Sequence, residues 1–413
     1  MKKDINQLFV YPKTWVSRET GEIAKSVRQW ANKEIVSRRL EYQDDYDNLF
    51  PRVRGLLALD IGCQGLMFSA EEGGLGFNRV DAATLLAVIL KEIGRADASI
   101  GFIHAVEYAG SAVLAGEDSG GTGLAGRLAP LFCGDALNTM APVLPAGGRV
   151  GRDYPLFEGR PLRATLANAN DGYTISGKSL RPLDLGADAA VLAVVCADPD
   201  NNPALALIPA DADGVVRGEP FRKTGLDGCR NTDIDLDRVA LAADQVLSGE
   251  APVRAFYAWL NLLLGAVSTG AAMGCLEVVG EWSEERVIKA GGLIKDNPLC
   301  AAVLAEAYEE VAIAWTMSHH LAHALANPGE WGAAGSSQMF AYSQMSGRRI
   351  QAGALLAVNK MMELMASEGY AREGRVEKSW RDIKTIQSAL CGIGGEAPVR
   401  LDVARYVFDS RVV

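Results

Sequence analysis

A chain of 413 residues that is 49% hydrophobic and 22% charged has the apolar content for a large core and exceeds the length one core usually serves, so two or three domains are expected. Its 41 basic and 51 acidic side chains give a net charge of -10, which argues against nucleic acid or an anionic membrane as partner, since both demand clustered Lys and Arg. Seven scattered cysteines without a Cys-x-x-Cys pair fit reduced thiols better than a disulfide frame or a zinc site.

Polar residues follow Lys2 and Lys3 where a secretory leader needs an apolar core, so a cytoplasmic protein is expected. Residues 13–49 carry Ile23, Val27, Trp30 and Ile35 at helical spacing and predict one or two amphipathic helices. Further helices are predicted over 53–66 and 81–93, separated by the glycine-dense turn Gly73-Gly-Leu-Gly76. Asp97 or Ser99 then caps an apolar helix. Past residue 138 the pattern changes to short strand-like runs, such as Tyr173-Thr-Ile-Ser176 and Ala189 to Cys196, divided by Asn, Asp and Gly turns. This predicts an antiparallel β domain. From Pro252 onward the chain reads as helical, with helices over 255–279, 296–326, 336–349 or longer, and 350–366. The uncharged run Ala255 to Leu276 is long enough to cross a bilayer, but its Asn261, Ser268 and Thr269 favour a buried bundle helix. Boundaries are placed at 1–137 for an N-terminal α domain, 138–250 for the β domain and 251–413 for a four-helix bundle.

Several motifs in this order resemble the acyl-CoA dehydrogenase family. They are Gly73-Gly-Leu-Gly76, Glu92-Ile-Gly-Arg-Ala-Asp97, the hairpin Gly172-Tyr-Thr-Ile-Ser-Gly-Lys178, the turn Arg222-Lys-Thr-Gly-Leu-Asp-Gly-Cys229, and Gly369-Tyr370 followed by Arg381-Asp382. The resemblance covers roughly residues 15–390. It implies an α+β fold with helical, β and four-helix-bundle parts, assembled as a dimer or tetramer through the bundle. It also implies FAD, an acyl-CoA-like substrate, and an electron-transfer flavoprotein as electron acceptor. In such enzymes a carboxylate removes the α proton of a thioester while a flavin accepts the β hydride.

The residues that resemblance would place in the site are altered. The base position after Arg381-Asp382 falls at or beside Leu390, and the family's second base position falls at Leu260 or Asn261. Glu363 and Glu396 are the nearby carboxylates offered as substitutes. The loop expected to meet the flavin reads Met140-Ala-Pro-Val-Leu-Pro-Ala-Gly-Gly148, Arg181 stands where an indole is expected, and Lys289 stands where a Phe follows Arg286. The expected Gln-x-x-Gly-Gly is Glu363-Leu-Met-Ala-Ser367, and the Gly-Thr after the base is lost. Arg181, Arg286, Lys289 and Gly148 remain as candidates to hold the cofactor. A second reading, a catalytically inactive and flavin-poor subunit paired with a motif-complete homologue, follows from the same changes. His319 and His323 share a helix face at a metal-pair spacing, but no third ligand accompanies them, so no metal is expected.

Overall fold

The computed structural model describes residues 13–78, 82–117, 123–145, 154–288, 291–374, 376–391 and 393–411. The N-terminal part holds α1 (Arg18–Glu34), α2 (Arg39–Asp44), α3 (Tyr46–Gly55), α4 (Ala82–Ala96), α5 (Ala98–Glu117) and α6 (Leu124–Phe132). Ser17 caps α1 by accepting from Thr20 N, and Asp97 starts α5 by accepting from Ser99 N and Ile100 N. Side-chain oxygens there satisfy amides that the first helical turn leaves without partners.

The middle part holds β1 (Met140–Val143), β2 (Leu156–Phe157), β3 (Arg160–Pro161), β4 (Ala164–Ala169), β5 (Gly172–Leu180), β6 (Val191–Ala197), β7 (Pro203–Pro209), β8 (Val215–Arg217), β9 (Ile234–Ala242) and β10 (Val246–Ser248). Eight of them form one sheet in the order β10-β7-β6-β4-β5-β9-β8, with β1 joined to β6. Most pairings are antiparallel, but β1–β6 and the single β4–β6 bridge are parallel. β6 is buried along its whole length and reads Val-Leu-Ala-Val-Val-Cys-Ala, as a strand covered on both faces should.

The C-terminal part holds α7 (Glu250–Glu285), α8 (Pro298–Ala326), α9 (Pro328–Trp331), α10 (Ser337–Met365), α11 (Glu377–Cys391) and α12 (Ile393–Phe408). The apolar helix α7 packs on α4, α5, α8 and α10. Its crossing with α4 is close because Gly270 meets the Lys91 carbonyl and Gly94 meets the Val267 carbonyl. A Cβ would lie 2.1 Å and 2.3 Å from those oxygens. Among the described residues two helices, Ala98–Ala115 within α5 and α7, are long and apolar enough to cross a membrane, but 94% of each apolar window is buried inside the protein.

Two sequence expectations change here. The helices predicted over 336–349 and 350–366 are one continuous helix, α10, since nothing at Arg349-Ile350 breaks the hydrogen-bond ladder. Two helices beyond the four predicted for this part, α11 and α12, take up the charged stretch that follows Tyr370 and the Gly394 to Pro398 segment. Burial of Val376, Ile383 and Ile386 along α11, and of Val399 and Asp402 along α12, overrides the local Gly and Pro signals.

Candidate functional site

The three parts meet at α11. Asp382 is buried and accepts hydrogen bonds from Leu226 N at 2.6 Å and Lys378 Nζ at 2.6 Å. Lys378 also reaches Asp97 at 3.5 Å, and Tyr42 Oη donates to Asp97. Arg381 donates to the Thr224 carbonyl and to both Asp227 oxygens. Burial pushes the Asp382 carboxyl up, while the Lys378 ammonium pulls it down. The Arg-Asp pair therefore clamps the Lys223–Cys229 turn of the β part and the start of α5 to the bundle. Its charges are spent on architecture.

The loop Leu180–Leu185 lies beside β1, with Leu183 N donating to the Pro142 carbonyl. Arg181, on this loop, is committed to Asp233 through Nε–Oδ1 at 2.7 Å and a second nitrogen at 2.9 Å, and its guanidinium lies 4.8 Å from the Phe221 ring centre. Asp184 pairs with Lys223 at 3.1 Å, and burial pushes its carboxyl up to about 6 against that ammonium. Neither Asp184 nor Glu363 takes Arg181 as partner.

Glu363 is exposed on the last turn of α10. Its carbonyl accepts from Ala366 N, and Ala366 has φ 53 and ψ -131. That conformation suits glycine, and the resemblance expects glycine there. The backbone keeps the glycine geometry while the side chain has changed. Arg286 ends α7 and comes within 4.0 Å of Glu368, so it faces the same turn. Lys289 and Gly148 lie outside the described residues, and Glu396 falls on α12 with its side chain outside them. The fit to FAD is thus mixed. The backbone at Ala366 suits a close phosphate approach, but the Ala366 and Ser367 Cβ atoms, the Glu363 carboxylate and the Arg181–Asp233 pair do not suit the nucleotide or the ring.

The side chains at the two positions where the resemblance expects a base are packed. Leu260 is fully buried and Leu390 packs against the core. Asn261 donates to Gln344 Oε1 at 2.7 Å, Gln344 donates to Asp402 Oδ2 at 2.8 Å, and Asp402 takes Arg160 through bonds of 3.0 Å and 2.6 Å. This buried network ties α7, α10, α12 and β3 together, and sequence reasoning missed it because its members are far apart in the chain. A second buried group it missed, Arg54 with His104 and Glu107, left one trace: two ionisable residues three apart in an otherwise apolar helix.

The imidazoles of α8 are engaged in packing. His323 stacks on Trp15 with ring centres 4.3 Å apart, His320 lies 2.5 Å from Tyr342 Oη, and His319 meets the Trp315 edge. Burial holds His319 down at about 3. No group of three metal-ligating side chains occurs among the described residues.

Comparison with known proteins agrees with this architecture. The family model for the acyl-CoA dehydrogenase N-terminal domain matches residues 17–117, and that for the C-terminal domain matches residues 262–390. The chain is 22% identical over 370 residues to cyclohex-1-ene-1-carbonyl-CoA dehydrogenase of Geobacter metallireducens, covering 87% of this chain and 91% of that one. It is 25% identical over 413 residues to the probable acyl-CoA dehydrogenase YngJ of Bacillus subtilis, covering 94% and 98%. Its fold is similar to that of glutaryl-coenzyme A dehydrogenase in its glutaryl-CoA complex, with a TM-score of 0.75, 19% identity and 96% of each chain covered. Together these matches show that the chain belongs to the acyl-CoA dehydrogenase family.

Proposed function

We propose that this chain is an acyl-CoA dehydrogenase-like flavoprotein oxidoreductase acting on an acyl-CoA or related thioester, with a non-carboxylate at the usual base position. Members of its family are FAD-dependent, bind acyl-CoA and form oligomers. The observation that carries the reading is the backbone at Ala366, which holds a glycine conformation at the turn where the family's nucleotide cradle falls. FAD would supply the hydride acceptor. Arg286 and Lys289 would neutralise its phosphates, and Arg181 and Gly148 are the other residues offered to hold it. Glu363 opposes them, since a carboxylate beside a pyrophosphate costs about 1 kcal/mol or more in a partly buried site. Flavin is therefore expected to bind weakly, and Glu363 or Glu396 is the base on this reading. The protein is cytoplasmic and passes electrons to an electron-transfer flavoprotein.

A second reading is favoured by the Arg181–Asp233 pair, an exposed ion pair at the position where an indole is expected. On it the chain is an inactive, flavin-poor subunit of an assembly with a motif-complete homologue. Flavin absorbance separates the two. Protein that takes up FAD to near one equivalent and is bleached by an acyl-CoA supports the enzyme. Colourless protein that stays colourless with added FAD sinks it, and co-purification of a second homologue supports the paired subunit. In the flavin-loaded protein, loss of α-proton exchange in Glu363→Gln or in Glu396→Gln alone would assign the base.

A further inference from the structure

At the end of the bundle where α9 and α10 meet α12 lies a cleft of about 220 Å³, walled by Trp331, Met339, Tyr342, Met345, Tyr406 and Val407, with no charged side chain among its described lining residues. Apolar surface continues past its rim. Met345 is 37%, Tyr406 48%, Val407 58% and Phe408 78% exposed, and the last three are consecutive at the end of α12. Large apolar side chains left singly in water are ordinary, but a group of them beside an apolar cleft marks a surface that something covers.

One imidazole joins this cleft to the point where the described chain begins. Tyr342 Oη meets His320 Nδ1 at 2.5 Å, and the Trp331 ring lies edge-to-face on the same imidazole with centres 4.9 Å apart. Trp15 also meets His320, at 6.2 Å between ring centres, and stacks on His323. Trp15 closes the short turn Lys13–Trp15, with which the described residues open. Immediately before that turn the sequence reads Leu8-Phe-Val-Tyr-Pro12, an uncharged apolar run after the mainly polar residues 2–7. Five extended residues reach up to about 17 Å, further than the spacings of 6.2 Å and 5.6 Å that lead from Trp15 through His320 to Tyr342. An apolar cavity of about 150 Å³ takes a benzene ring, so the cleft has room for one aromatic ring and part of a second apolar side chain.

We propose that the cleft between α10 and α12 is the docking site of the apolar segment 8–11 of this same chain, with Phe9 as the ring it takes. The chain enters the fold beside the cleft, and the segment shares the cleft's lack of charge, which favours it over a second copy or a small apolar ligand. Docking there removes from water the apolar surface that otherwise invites association. It uses no residue offered for the flavin or the base, so it holds for either reading of the function.

The full chain carrying Phe9→benzoylphenylalanine, a photoreactive ring, tests it. Irradiation is expected to join position 9 to residues 331–345 or 403–407 of the same chain, as mapped by peptide mass spectrometry. An equal mixture of isotopically light and heavy chains separates the sources: a light–heavy adduct assigns the cleft to a second copy and overturns the proposal, as does labelling elsewhere or none at all. Val407→Asp is expected to lower the adduct yield by about tenfold, because docking would strip water from the new carboxylate. Leu40→Asp, at an exposed position on α2, leaves the yield unchanged. If Val407→Asp does not fold, as judged by near-ultraviolet circular dichroism, Met345→Asp reads the same wall, and a yield indifferent to the substitution overturns the docking. In the unlabelled chain Phe9→Asp uncovers the cleft and is expected to raise binding of anilinonaphthalene sulfonate by about threefold or more; an unchanged dye signal means that segment 8–11 does not cover it.

Discussion

Ala366 offers a direct test of the idea that the chain retains a cradle built for glycine. Its φ of 53 and ψ of -131 lie where a Cβ collides with its own backbone, and a non-glycine residue held there stores about 1–3 kcal/mol. Ala366 is exposed, so replacing it by glycine removes no packing. The greater freedom of glycine in the unfolded chain takes back about 0.5–1 kcal/mol. Ala366→Gly should therefore stabilise the protein by about 0.5–2 kcal/mol. For a chain of 413 residues, unfolding entropy near 2.1 cal/mol/K per residue converts this to a rise of only about 1–2 °C in Tm, so a urea midpoint is the better assay. Ala371, in the same turn with φ -85, supplies the control, because Ala371→Gly should destabilise by about 0.5–1 kcal/mol. If Ala366→Gly lowers the midpoint as the control does, the strained backbone is not there and the reading of this turn fails.

Three further outcomes are expected. Combining Ala366→Gly with Ser367→Gly and Glu363→Gln restores the small, uncharged surface a pyrophosphate needs, and should raise FAD affinity by about tenfold or more; unchanged flavin fluorescence quenching would count against the cradle. Asp184 has a folded-state value of about 6 against an ordinary 3.8. The folded protein keeps that proton longer, and stability from this group falls by about 3 kcal/mol as pH rises from near 3.8 to near 6. Asp184→Asn should flatten that slope in urea melts taken across the window, and parallel slopes would reject the assignment. Asp402→Ala should destabilise by about 3–5 kcal/mol, since it strands the buried Arg160 guanidinium. Arg160→Met with Asp402→Leu should recover most of the loss, and a single-variant cost below about 1 kcal/mol would show the network to be slack.

The sequence carried the fold because its signals are local or repeat a local pattern. Alternation and Asn-Asp-Gly turns marked the sheet, and a long uncharged run marked α7. Arg381-Asp382 was legible as a signature but not as a clamp, since its partners Leu226 and Asp227 lie some 155 residues away. The same separation hid the Asn261–Gln344–Asp402–Arg160 chain. It also hid Arg54, whose charge reaches His104 and Glu107 only once the chain is folded. Arg181 shows the converse. Its substitution for an indole was plain in the sequence, but its partner was not, because Asp233 enters only through the pairing of β5 with β9 across Leu180 and Ile234. Local physics fixes which elements form, and tertiary contacts decide which charged groups are left over. Among its described buried carboxyls, Asp97, Asp382 and Asp402 are hydrogen-bonded and Glu92 and Asp184 are ion-paired, whereas Glu107 has neither oxygen bound. A carboxyl so placed is retained at a cost to stability, because its desolvation is not repaid by a hydrogen bond.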